Sequence, residues 1–250
     1  MKKITYFYKK LSYFLKKKKN IDDDIFEKYS LEEIFTHYGT DKANSVSNQY
    51  NKNLTEIIGH GYSKFYEKHF NNFKDEKFNL LEIGTWFGAS SASFVKYFRN
   101  AKIFGIDRNF KLKYKSTRLH FVYCDFRKKE DLKKLERKFY GLSFKIIIED
   151  GSHILTHMIK NLFFFFKYLE KGGYFIIEDF NMPKKYNFLN DGKNEELFLD
   201  EIILNIKNKN FFNSKILTNE AQKYIFDNVE NVFVYKGNNE DSDIVFLKKK

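Results

Sequence analysis

Five short apolar runs recur between residues 78 and 179: "FNLLEIG", "AKIFGID", "LHFVYCD", "FKIIIED" and "GGYFIIED". Segments with helical spacing separate them, for instance Ser90 to Phe98 and Leu155 to Leu169. Strand-sized runs that alternate with helices demand crossover connections, and so a sheet with helices packed on both faces. The pattern predicts an α/β fold built on a doubly wound, mostly parallel sheet. Near the C-terminus, "NVFVYKGNNEDSDIVFLKKK" reads as two more strands around a Gly-Asn-Asn turn. The expected sheet is therefore seven-stranded, with a C-terminal antiparallel hairpin and an N-terminal helical appendage.

Two of the runs close on acids. "FKIIIEDGSH" carries its apolar stretch into Glu149, Asp150 and His153, and "GGYFIIEDF" ends on Glu178 and Asp179. Acids beside a core are costly unless something positive compensates them. In the doubly wound order these two strands are neighbours about 4.8 Å apart, and ligands collect beyond their carboxyl ends. Asp150, Glu178 and Asp179 would then converge on one small volume. A divalent cation would relieve their repulsion, and oxygen-only ligation suits Mg²⁺.

The first strand turns into its helix through "LLEIGTWFGASS", which sets Glu82, Gly84 and Gly88 at a helix N-terminus. The spacing E-x-G-x-x-x-G is not the dinucleotide fingerprint, which weighs against a nicotinamide enzyme. Asp107 closes the second strand where a ribose-binding carboxylate belongs, and Asp125 closes the third.

Composition removes several alternatives. The formal net charge is +12, yet only five of the 45 basic residues are Arg, the fork that base and phosphate readers favour. A nucleic-acid substrate is therefore not expected, and the single proline, Pro183, cannot build the Asn/Asp-Pro-Pro motif of base methylation. One cysteine, Cys124, excludes an internal disulfide and points to a packed thiol. No run of 18 apolar residues exists, and the N-terminus lacks the features of a secretion signal, so the expected location is cytoplasmic.

Acids ending the first three strands resemble the class I S-adenosylmethionine (SAM) methyltransferases over about residues 75 to 250. The resemblance implies that the loop Glu82 to Gly88 holds the methionine part of SAM and Asp107 the ribose hydroxyls. It assigns the adenine amino group to Asp125 and a further contact to Ser90. "IIIEDGSH", "FIIEDF" and the upstream "HYGTDKA" narrow it further. They resemble the metal-dependent sugar O-methyltransferases of macrolide biosynthesis and bacterial capsule clusters. In that family the positions of Asp150, Glu178 and Asp179 ligate Mg²⁺, and His153 is the general base. The loop around Thr40 would cross over the cofactor. Two departures stand out: Glu149 replaces the usual Asp, and His157-Met158 replaces a common His-Gln pair. His153 and His157 are also spaced for zinc, which the family comparison disfavours.

The implied organisation is an N-terminal extension with the covering loop, residues 1–74, and a methyltransferase domain, 75–250. The implied acceptor is a sugar hydroxyl, for instance of a nucleotide-linked heptose or hexose. A non-sugar small molecule and a non-catalytic binding role remain alternatives. Ile4, Phe7, Tyr8, Leu11, Phe14 and Leu15 recur at helical spacing among lysines. That predicts a helix packed on its own domain or on a second subunit, with a membrane-surface helix as the alternative.

Overall fold

The structure, a computed structural model, describes residues 2–46, 57–192 and 196–250, with residues 2–7 and 9 described by their backbone alone. The N-terminal part contains α1 (Lys2–Leu15), β1 (Lys19–Asn20), α2 (Leu31–Tyr38), β2 (Ser45–Val46), β3 (Ile57–Ile58) and α3 (Ser63–Phe70). Sequence periodicity suggests a helix from Ile25 to His37, but α2 starts only at Leu31. The reason is local. Ser30 and Glu33 form a capping box, with the Ser30 Oγ accepting from Glu33 N–H at 3.2 Å and Glu33 accepting from Ser30 N–H at 2.8 Å. Gly39, at φ 71°, ends the helix in the left-handed region.

The rest supplies β4 (Asn79–Ile83), α4 (Ala89–Tyr97), β5 (Lys102–Asp107), β6 (Tyr114–Lys115), β7 (Leu119–Tyr123), α5 (Lys129–Lys138) and β8 (Phe144–Glu149). There follow α6 (Leu155–Phe166), β9 (Leu169–Glu178), α7 (Met182–Lys185), α8 (Leu199–Lys207), α9 (Asn219–Asn228), β10 (Val229–Lys236) and β11 (Asp243–Lys249). Seven strands form the main sheet in the order β10-β11-β9-β8-β4-β5-β7. Five run parallel and β10 and β11 form an antiparallel hairpin, as the sequence pattern predicts, and β11 also pairs antiparallel with β9. The strand order reverses at β4, which lies between β5 and β8. A crevice at that reversal is where such sheets bind ligands.

Alternation along the strands sorts the core into two layers. Leu80, Ile103, Ile146, Ile148 and Ile176 pack against the side of α2, α3 and α4, whereas Leu81, Ile106, Ile147, Phe175 and Ile177 face α6 and α8. The same period sets the acids. Glu82 and Glu178 fall on the α3 and α4 side after Leu80 and Ile176, and Glu149 falls on the α6 side after Ile147.

The turns that leave the strands are tight. Trp86, His153 and Asp179 hold left-handed backbone, at φ 46°, 53° and 53°. Gly84 sits at φ 93°, and a Cβ there would lie 1.8 Å from the carbonyl oxygen of Asp150. Gly172, at φ 67°, has nothing within 4 Å of that position. Gly172→Ala should therefore cost only the left-handed penalty, about 1–2 kcal/mol, while Gly84→Ala should cost clearly more because β4 and β8 must separate. Urea unfolding midpoints of the two variants check this, and equal losses would contradict the close approach at Gly84.

Candidate active site

The loop after α2 delivers the cation that the strand-end acids require. Segments 41–44 and 59–62 run side by side, tied by backbone bonds from Gly59, His60, Gly61 and Tyr62 to residues 41–44 of 2.6 to 2.9 Å. This ladder carries Lys42 into the sheet side of the cleft, where it is 1% exposed. Its Nζ donates to the Asp150 carboxylate at 2.5 Å and to Glu178. Tyr66, from α3, donates its hydroxyl to the other Glu178 oxygen. Burial alone would lower the Lys42 pKa, but Asp150 and Glu178 outweigh it and hold the ammonium well above its usual range. Burial raises both acids, yet Lys42 brings Asp150 below the ordinary carboxylate range. Glu178 stays well above it, pushed by burial and then by Asp150 against the pull of Lys42.

A second group opens toward solvent. Donor atoms of Asp150, His153 and Asp179 lie within 4.8 Å of one another, which suits a divalent ion. The His153 Nε2 is 3.7 Å from an Asp150 oxygen, and its buried Nδ1 has no protein partner. Asp179 accepts from the Tyr62 hydroxyl at 2.5 Å and lies 3.4 Å from the His60 Nδ1. Burial pushes the Asp179 carboxyl up, and the two imidazoles pull it back. Glu178 is not among these convergent donors, because its oxygens serve Lys42 and Tyr66. Of the three ligands expected from sequence, the structure brings Asp150 and Asp179 together, with His153 beside them, and turns Glu178 toward Lys42 and Tyr66. A mixed oxygen and nitrogen set still fits a divalent cation, though less selectively for Mg²⁺ than three carboxylates.

Between the strands, a cleft is lined by Thr40, Lys42, Gly84, Ser90, Asp150 and His153. Asp107 reaches both this cleft and an adjoining one lined by Ile106, Cys124, Asp125, Arg127 and His157. The Asp107 carboxylate is aimed by backbone N–H groups of Trp86 at 2.9 Å and Asn109 at 2.6 Å, leaving lone pairs for two adjacent hydroxyls. Asp125 is gripped by Arg127 through two bonds of 2.8 Å, and that contact lowers its pKa to about 2. Glu82 lines neither cleft. It is fully buried and accepts from the hydroxyls of Ser90 and Ser91, fixing the end of β4 to the start of α4. Ser90 thus reaches the cleft with its hydroxyl hydrogen already committed.

His157 pairs with Ser152 at 2.8 Å and is absent from the convergent donors. His153 precedes α6 with left-handed backbone, so the i,i+4 argument for zinc does not apply. Glu149 is fully buried, accepts from Asn161 at 3.1 Å, and is pushed by burial to a pKa of about 7. Burial pushes the Cys124 thiol to about 12, as suits a packed side chain. Sequence reasoning did not single out His60, Tyr62 or Tyr66. Their signal was the four-residue spacing of the tyrosines in "GHGYSKFYEKHF", which puts both hydroxyls on one side of α3.

Fold and site together describe a doubly wound α/β domain with an acid-lined cleft where its strand order reverses. No protein-family model matches the chain. It is similar to the sugar O-methyltransferases of antibiotic pathways. Mycinamicin VI 2''-O-methyltransferase of Micromonospora griseorubida is 30% identical over 127 residues, 48% of this chain and 31% of that protein. A tetracenomycin-C rhamnosyl 2'-O-methyltransferase of Streptomyces olivaceus is 31% identical over 48% of this chain and 33% of its own length. The matched segment is thus about a third of these relatives. Among solved structures, the MycE methyltransferase of the mycinamycin pathway, in complex with Mg and SAH, shares the fold. Its TM-score is 0.66 at 21% identity, over 89% of this chain and 55% of that one.

Lys42 gives a direct test of the buried network. Removing one partner of a buried ion pair costs about 3–5 kcal/mol, so Lys42→Met should destabilise the protein by that amount. Adding Glu178→Gln should recover part of the loss by deleting an unpaired acid. A double-mutant cycle in urea would detect this, and strictly additive losses would contradict the pairing.

Proposed function

We propose that the chain is an O-methyltransferase that moves the methyl group of SAM to a sugar hydroxyl with the help of a divalent cation. One observation carries the reading: Thr40, Gly84, Ser90, Asp107, Asp150 and His153 line a single cleft, so a cofactor loop and an acid cluster share one space. Similarity to sugar O-methyltransferases supports the acceptor class. The finer reading, a nucleotide-linked heptose or hexose of a capsule or other glycan, rests on family resemblance alone.

In this reading Gly84 and the start of α4 receive the methionine part of SAM, Asp107 accepts from the ribose hydroxyls, and Asp125 faces the adenine end. Thr40 closes the cleft from the covering loop. Asp150 and Asp179 would hold the cation, and Glu178 could join them only by releasing Lys42. When bound, a cation there supplies charge that orients the acceptor hydroxyl and lowers its pKa. His153, at the rim of the same cluster, takes the hydroxyl proton as the C–O bond forms and the sulfonium leaves as a neutral thioether. Proximity does much of the remaining work, by holding methyl and oxygen in line.

Four measurements test this. Calorimetry should detect SAH binding, and Asp107→Ala should weaken it by about 1.5–3 kcal/mol, the worth of charge-assisted hydrogen bonds. Chelation should abolish turnover and spare SAH affinity, with Asp150→Asn and Asp179→Asn lowering affinity for Mn²⁺ as read by electron paramagnetic resonance. His153→Ala should lower kcat by about 10²–10⁴ with SAH and metal affinity retained. Loss of metal binding in His153→Ala would instead make that imidazole a ligand. Profiling glycosyl, nucleotide-sugar and non-sugar acceptors separates the acceptor classes.

A further inference from the structure

The described side chains of helix α1 depart from ordinary amphipathic packing. Among them Tyr13, 6% exposed, is the buried contact, with ring centroids 5.5 Å from Phe110 and 5.3 Å from Phe121. At 3.6 residues per turn, Leu11 and Leu15 each lie about 160° around the helix from Tyr13. They point outward, at 45% and 77% exposure, and Phe14 is 64% exposed beside them. The sequence suggests a stripe that packs inward, but the structure turns its described part outward. Among the described side chains of the helix, Tyr13 is the one that meets the aromatic surface formed by Phe110 and Phe121. Ile4 and Phe7 lie outside the described side chains.

The surroundings of this face are cationic. Lys10, Lys16 and Lys17 are exposed beside it. Lys18 is partly used by the Tyr13 ring, at 3.8 Å, and Lys19 by Asp24, at 2.9 Å. No acid occurs between Met1 and Asn20. An outward apolar stripe bordered by lysines is complementary to a lipid bilayer with anionic headgroups, where acyl chains take the stripe and phosphates take the ammonium groups. A second copy of the same helix would instead bring like charges together.

We infer that α1 is a membrane-surface anchor, which lies in the headgroup layer of an anionic bilayer through Leu11, Phe14 and Leu15. Phe110, on which Tyr13 rests, follows Asp107 by three residues, so the docked helix holds the cleft rim near the lipid surface.

The test is co-sedimentation of the full chain with vesicles of phosphatidylcholine and phosphatidylglycerol at 7:3, against pure phosphatidylcholine. Binding should be at least tenfold stronger on the anionic vesicles and should weaken when salt rises from 0.1 to 0.5 M. Phe14→Asp with Leu15→Asp should abolish it without changing the far-UV circular dichroism or the Tm, since both side chains are exposed. Lys16→Gln with Lys17→Gln should reduce binding several-fold and flatten the salt dependence. Failure of the wild-type chain to bind anionic vesicles, or unchanged binding by the aspartate variant, overturns the inference. So does a dimer, by light scattering, that the aspartate variant dissolves, which would make this face an interface between copies.

Discussion

A buried ammonium holds this site together. Lys42 is almost without solvent contact and spans Asp150 and Glu178, the acids that close two neighbouring strands. Without it, the ends of β8 and β9 would carry uncompensated charge in a region of low dielectric, where repulsion between carboxylates is strongest. With it, the loop after α2, α3 and the two strands become one polar unit. Tyr66 completes Glu178, Tyr62 and His60 steady Asp179, and the 41–44 to 59–62 ladder fixes where Lys42 enters.

This arrangement divides the acids by task. Glu82, Glu149 and Glu178 are at most 2% exposed and are spent on internal partners. Asp107 and Asp150 line the cleft and Asp179 converges with Asp150 and His153, their orientations fixed by backbone N–H groups, by Lys42 or by Tyr62. The side-chain length matters. A glutamate at the end of β8 or β9 reaches back into a packed layer, and the aspartate after it turns to the convergent cluster. Backbone strain at His153 and Asp179 is consistent with a mouth shaped for ligands, since left-handed conformations persist at such positions only where their surroundings impose them.

Helix α1 obeys a different balance. Among its described side chains, Tyr13 rests on Phe110 and Phe121, while Leu11, Phe14 and Leu15 are exposed. Apolar exposure of this kind, with cationic borders, is costly in water and is relieved only by a partner surface.

Much of the fold was legible in the chain. Alternating strand and helix patterns specified the parallel sheet and its terminal hairpin, because burial on both faces demands continuous apolar runs. Strand-end acids and Gly84 located the cleft, because a doubly wound sheet gathers those ends at one edge. The start of α2 was misread, since the capping box at Ser30 overrides an apolar pattern that extends upstream. The rest depended on contacts distant in sequence. Sequence alone left the positive partner of the acids to a metal, and tertiary structure placed Lys42, 108 residues before Asp150, between them. It likewise turned Glu178 inward and His153 toward the mouth. The helical period of α1 was determined locally, but which side met the protein was decided by the ring surface of Phe110 and Phe121. Local periodicity sets which residues share a face, and only packing determines what that face meets.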